Sequence, residues 1–303
     1  MNSKSTNTAV TLSLIALFIL ISGCVQKDVP QKQFIASDDA LVMSFQAGSP
    51  PDKVFSDSEF DIVLQAENKG EHGLALGDVR FVLTDAGFSN GQSEIMKNSQ
   101  NIAPASQAIS GEYLAGGIDF ANWNGMKYAS VMQVTEMKKI PARVEACYPY
   151  ETKASATLCV KAGTTAKCSD DEEKTVANSG APVKITEFSQ IGSTKTATGV
   201  QTGFKFKVAR TGGEEYKFYS NVADCPTLSA INANIINVAV DMPKTTCSPT
   251  TAILDSKTQE SDSITCTISF DTTSSFEKVI PIKLNYVIKQ STNKDIQIIP
   301  LPK

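Results

Sequence analysis

The chain has 303 residues, of which 41% are hydrophobic and 20% charged, and a formal net charge of -4. That balance is too apolar for a disordered chain and leaves room for about two domains of ordinary size, each with a core of its own. A mildly acidic total gives no electrostatic footprint for phosphate backbones, which argues against nucleic acid as a partner.

The first predicted element is an export signal. Lys4 and a few polar residues precede the apolar run 9–21, and Ser22-Gly23-Cys24 follows at once. A basic start, a short apolar stretch and small residues at the cut are what export requires. The run falls short of the roughly 20 residues that a spanning helix needs. Ile21-Ser22-Gly23-Cys24 resembles the lipobox of prokaryotic lipoproteins, with an archaeal source favoured. The resemblance implies removal of a signal peptide at 1–23, lipid attachment at Cys24, and a chain held outside the cytoplasm on the membrane. The competing reading is an uncleaved anchor with an incidental cysteine, which also leaves the remainder outside. A chain starting at Cys24 loses only Lys4 from its charges, leaving 27 basic against 32 acidic residues, or -5.

Six cysteines follow: Cys147, Cys159, Cys168, Cys225, Cys247 and Cys266. An even number in an exported chain points to disulfides. Zinc competes poorly, because there is no Cys-x-x-Cys pair and only one histidine. No metal or other cofactor is expected.

Residues 24–38 read as a lipidated, polar tether. Period-two alternation then dominates. Phe60, Ile62, Leu64 and Ala66 alternate with polar neighbours, as do Val79, Phe81 and Leu83, then Phe204, Phe206 and Val208, and finally Ile264, Cys266, Ile268 and Phe270. Such runs bounded by Gly, Asn, Asp, Pro and Ser predict half-buried antiparallel strands. No amphipathic helix follows the signal, so the fold class is all-β. An internal repeat is visible as well. The segment 140–148 (IPARVEACY) lines up with 280–288 (IPIKLNYVI) at an offset of 140, and FDIVLQAENKG from Phe60 lines up with FKFKVARTGG from Phe204 at an offset of 144. Two matched segments in the same order predict a duplicated module. The polar stretch 166–180, with Asp170-Asp171-Glu172-Glu173, reads as a linker between modules at 39–165 and 181–303.

The strand FDIVLQAENKGEHGL, with its Asn68-x-Gly70 turn, resembles the corresponding strand of CARDB-like, immunoglobulin-like modules found in tandem on archaeal and bacterial surface proteins. Thr211-Gly212-Gly213 resembles a degenerate second copy. The resemblance implies two tandem immunoglobulin-like antiparallel β-sandwiches that act as spacer, scaffold or adhesive elements, and it carries no catalytic residues.

Candidate sites are few. His72, the sole histidine, would have to serve any Ser/His/Asp triad or His-based metal site, and its turn setting predicts a solvated residue. The acidic cluster 170–173 lacks a spaced calcium-loop pattern and reads as solvated linker. Trp123, the only tryptophan, is the candidate partner contact, with burial at a sandwich edge as the alternative. A hairpin turning at 152–154 would set Cys147 opposite Cys159. Cys247–Cys266 is the expected pair in the second module, leaving Cys168 with Cys225. These observations predict a lipid-anchored binding, adhesion or scaffold protein without catalytic activity, whose partner is an envelope or surface protein or a glycan. A solute-capturing or transporter-associated lipoprotein is the alternative, and an exported hydrolase a third reading.

Overall fold

The computed structural model describes residues 34–35, 37–84, 87–89, 95–108, 110–128, 134–163, 168–169, 173–213, 216–221 and 233–301. The expected signal, Cys24 and the start of the tether lie outside them, as do Asp170 to Glu172 and Cys225. The described residues contain strands and no helix. The first half holds β1 (Leu41–Phe45), β2 (Lys53–Phe55), β3 (Phe60–Asn68), β4 (Arg80–Thr84), β5 (Phe88–Ser89), β6 (Ile95–Lys97), β7 (Ser106–Gln107), β8 (Tyr113–Leu114), β9 (Ile118–Tyr128) and β10 (Lys138–Val160). The second holds β11 (Val176–Asn178), β12 (Val183–Lys195), β13 (Val200–Arg210), β14 (Lys217–Tyr219), β15 (Ile235–Val240), β16 (Thr245–Ser248), β17 (Thr251–Ile253), β18 (Ile264–Phe270) and β19 (Phe276–Ile299).

Two four-stranded sheets, β1-β3-β9-β5 and β12-β13-β18-β16, come from the first and second halves respectively. The strands expected from alternation form them: β3 buries Phe60, Ile62, Leu64 and Ala66, and β13 buries Phe204, Phe206 and Val208. Both sheets pack on a larger one, β17-β15-β19-β10-β4-β6, which also pairs β11 with β10 and both β14 and β2 with β19. The chain is therefore built of β-sandwiches.

The large sheet is organised by β10 and β19, of 23 and 24 residues. They pair antiparallel without a break from Lys138↔Ile298 to Val160↔Phe276, over about 75 Å at roughly 3.3 Å per residue. Alternate β10 residues are buried along the whole length: Ala142, Val144, Ala146 and Tyr148, then Ala154, Ala156 and Leu158. Alternate residues share a face, so both four-stranded sheets cover the same side of the large sheet. The repeat explains the arrangement. Tyr148 and Ile288, equated by the 140-residue offset, face each other in the ladder. A local twofold through that pair exchanges β10 with β19, so each long strand starts in its own sandwich and finishes in the other. Residues 34–303 form one compact unit with a hydrophobic core drawn from both halves. The stretch 166–180 therefore does not divide the chain into modules with separate cores.

The hairpin expected at 152–154 is absent. Thr-Lys-Ala has no Gly, Asn or Pro to reverse the chain, and alternation continues through it: Thr152 and Ala154 are buried while Lys153 is exposed. Cys147 and Cys159 thus lie on one strand, about 40 Å apart at strand rise, and cannot bond. Cys159 bonds Cys168, with 5.6 Å between Cα atoms, which also removes the expected Cys168–Cys225 pair. Cys147 is disulfide-bonded too. Cys247 and Cys266 are bonded, as direct partners of the β16–β18 ladder.

Candidate functional site

The crossing point of the two sandwiches begins at the end of β3. Asn68 is fully buried, and its side chain makes the turn that follows: Nδ2 donates to the His72 carbonyl at 2.7 Å and Oδ1 accepts the Gly70 N–H at 3.1 Å. Gly70 is required by close approach. A Cβ there would meet the Tyr150 hydroxyl at 2.0 Å and the Asp39 and Gly180 carbonyls at 2.6 and 2.8 Å. Glu71 then ties three segments together, its Oε2 accepting the N–H groups of Ile35 at 3.0 Å and Gly180 at 2.7 Å. Next along the turn, the His72 ring packs edge-on against Tyr150 at 5.1 Å.

Beneath the turn lies a buried cluster of hydroxyls. Tyr148 accepts the Leu41 N–H, and Thr152 donates to the Val183 carbonyl at 2.7 Å while sharing a hydrogen bond of 2.9 Å with Tyr286. These bonds join the first sheet, the long strands and the second sheet. Burial pushes the Tyr148, Tyr150 and Tyr286 phenols well up, and Tyr216 to about 12. They stay neutral and act as hydrogen-bonding fillers of the junction.

The opposite face of the large sheet carries a small buried cluster of Cys147, Tyr219 and Val287 and, beside it, half-buried polar residues. Glu151, between the inward Tyr150 and Thr152, points outward. Its register partner is Asn285 on β19, whose own partner is Asn237 on β15. Directly paired residues project from the same face, with strands about 4.8 Å apart. Asn237, Asn285 and Glu151 therefore form a straight polar row across three strands. The row lines a trough of about 340 Å³ that ends on His72, with Pro149 and the nearly covered Val287 as its apolar part and Ser220 and Asn221 on its other side. Asn237 Nδ2 donates to the Ser220 carbonyl at 3.0 Å, leaving the amide oxygen as an acceptor. Glu151 is paired loosely with Lys153, at 3.5 Å. Burial lowers the His72 pKa, with Glu151 opposing, so the imidazole is neutral at pH 7.

A second cavity of about 460 Å³ lies beside Cys168, Thr273 to Ser275 and Glu277. It is formed by loop residues and the start of β19, and no row of paired strand residues converges on it.

The sequence-predicted residues scatter. His72 is half-buried against Tyr150 rather than solvated, because the Asn68-x-Gly70 turn folds it back onto β10. Trp123 is 1% exposed, an inward residue of β9 in the core, and its indole is not presented to a binding partner. Of the acidic cluster only Glu173 is described, in an isolated bridge to Ser189. Among the described residues no group of three or more His, Cys, Asp or Glu could hold a metal. Asn237, Asn285 and Glu151 escape sequence reasoning because they are ordinary polar positions of alternating strands, and only the register brings them together.

No family model and no curated protein matches this chain. Among solved structures it is compared with the secreted serine protease VesC from Vibrio cholerae, at 10% identity and a TM-score of 0.16. That alignment covers 85% of this chain and 52% of the protease, so the chain spans about half the length of its neighbour. A likeness of this size carries no argument about fold or activity.

Proposed function

We propose that the chain is an extracytoplasmic lipoprotein, anchored through Cys24, that acts as a non-catalytic binding or scaffold module. The observation that carries the reading is the way the two sandwiches are joined. A continuous β10–β19 ladder, the buried Tyr148–Thr152–Tyr286 cluster and the Glu71 clamp hold both as one body, as suits a protein that presents a surface rather than one that closes on a substrate. Disulfides at Cys159–Cys168 and Cys247–Cys266 support an oxidising compartment outside the cytoplasm. The lipobox-like Ile21-Ser22-Gly23-Cys24 supports anchoring, and no helix among the described residues is long and apolar enough to cross a membrane.

The test compares wild-type chain with Cys24→Ala in cell fractions, followed by cross-linking and pull-down of the wild type from its own membranes. The proposal predicts that wild type sediments with membranes and retains a defined envelope partner, and that Cys24→Ala is released or held with its signal uncut. Turnover on a hydrolase panel that is lost in His72→Ala would overturn the non-catalytic reading. Equal membrane retention of a Cys24→Ala chain whose signal has been removed would overturn the anchor.

A further inference from the structure

The trough on the outer face of the large sheet has the composition of a binding site, and its chemistry narrows the ligand. Its polar side chains outside the inward tyrosines are two carboxamides in a row, a third carboxamide from Asn221, a carboxylate, a hydroxyl at the rim and a neutral imidazole. A phosphate or carboxylate ligand meets no cation among the described residues that line it, and Glu151 would repel one. The neighbouring cation, Lys153, already lies beside Glu151. A divalent metal would find one carboxylate among the described lining residues, where several oxygens are needed. A purely apolar ligand would strip water from these polar side chains without replacing their hydrogen bonds.

What remains is a neutral molecule rich in hydroxyls. A carboxamide offers a donor and an acceptor side by side, which suits two neighbouring hydroxyls, and a carboxylate accepts from two more. Asn237, Asn285 and Glu151 set these groups about 4.8 Å apart over some 10 Å, the span of one to two sugar rings. Pro149, half-buried, supplies an apolar surface for the C–H face of a ring, while Val287 is covered by Cys147 and Tyr219. A volume of about 340 Å³ lies at the lower end of ordinary ligand sites. We infer that this trough binds a neutral saccharide. The inference rests on the reading of the chain as a binding module and names the class of its partner.

The experiment is saturation-transfer NMR on the mature chain, with maltose, cellobiose and N,N′-diacetylchitobiose as neutral probes. Glucuronate and inorganic phosphate serve as charged ones. The expected result is transfer to at least one neutral disaccharide and to neither charged probe. Its affinity should fall at least tenfold in Asn285→Leu and in Asn237→Leu, and stay unchanged in Ser274→Ala at the other cavity. Asn285→Asp, which keeps the side-chain volume and adds a carboxylate beside Glu151, separates loss of the site from loss of folding. It should weaken binding while the far-UV circular dichroism of the folded chain stays that of the wild type, even where the like charge opposite Glu151 lowers the thermal transition. No transfer to any of the three disaccharides, transfer only to a charged probe, or equal affinity in the Asn variants overturns the inference. An envelope partner retained in the pull-down and not displaced by any of the sugars would remove the saccharide and leave the binding module standing.

Discussion

Gly70→Ala should be among the most damaging single-methyl changes in the chain. The added Cβ would lie 2.0 Å from the Tyr150 hydroxyl, 2.6 Å from the Asp39 carbonyl and 2.8 Å from the Gly180 carbonyl. Tyr150 cannot swing away freely, because its ring is held between His72, Tyr148 and Tyr286. The carbonyls are main chain, and the Gly180 oxygen already accepts the Glu71 N–H at 2.8 Å. Moving Gly70 instead strains its own carbonyl, which accepts from the Ala105 N–H at 2.8 Å. Overpacking a tight site costs about 1–3 kcal/mol, and one buried hydrogen bond broken on one side adds about 1–3 kcal/mol. The sum is about 4 kcal/mol, or roughly 8–16 °C in Tm for a body of this size. Urea unfolding of mature wild-type and variant chains measures it, with an unchanged m-value showing that stability alone has moved. Adding Tyr150→Phe to the Gly70→Ala variant removes the nearest atom but neither carbonyl, so it should restore only a fraction of the loss. A cost under about 1 kcal/mol for Gly70→Ala, or full recovery in the double variant, would refute the close-approach argument.

Three further outcomes follow from the junction and the disulfides. Thr152→Val removes the hydroxyl shared by the Val183 carbonyl and the Tyr286 phenol, and should cost about 1–3 kcal/mol in urea unfolding, whereas Thr157→Val should change little. His72 has a pKa lowered by burial, so the unfolded chain binds the proton more readily. Stability should therefore be fully present above about pH 6.5 and decline as pH falls below it, and His72→Gln should flatten that slope. Non-reducing peptide mapping should recover Cys159–Cys168 and Cys247–Cys266, with Cys147 linked to Cys225, the one cysteine of the chain after Cys24 left over. A Cys147–Cys159 peptide would contradict the continuous β10.

The strands are legible in the sequence where one face is buried and the other wet. β3, β13 and β18 alternate cleanly because each sits in a sheet covered on one side, and hydrophobic periodicity reports that directly. The duplication is legible too, since Ile140 to Tyr148 and Ile280 to Ile288 occupy equivalent stretches of β10 and β19. Their length is not, because strands of 23 and 24 residues are far beyond the usual five or six. A hairpin over 142–161 would bring that stretch back to normal size, which is why the sequence suggests one. The unbroken alternation through Thr152 and Ala154, without a turn residue, is the signal against it. Which sandwich each half of a long strand completes depends on pairing between residues more than a hundred positions apart, and no local pattern encodes that. The trough is hidden for the same reason. Asn237, Asn285 and Glu151 carry no motif, and they become a row only through two registers. Trp123 looks like a surface contact in the sequence because of its polar neighbours Asn122 and Asn124, which point outward from β9 while the indole points into the core.

Mass spectrometry of the N-terminal peptide from native membranes tests the anchored-module account most directly. The account predicts a mature chain that begins at Cys24, carries lipid on that residue and retains intact Cys159–Cys168 and Cys247–Cys266 bonds. A chain that begins elsewhere with Cys24 absent or unmodified would contradict it.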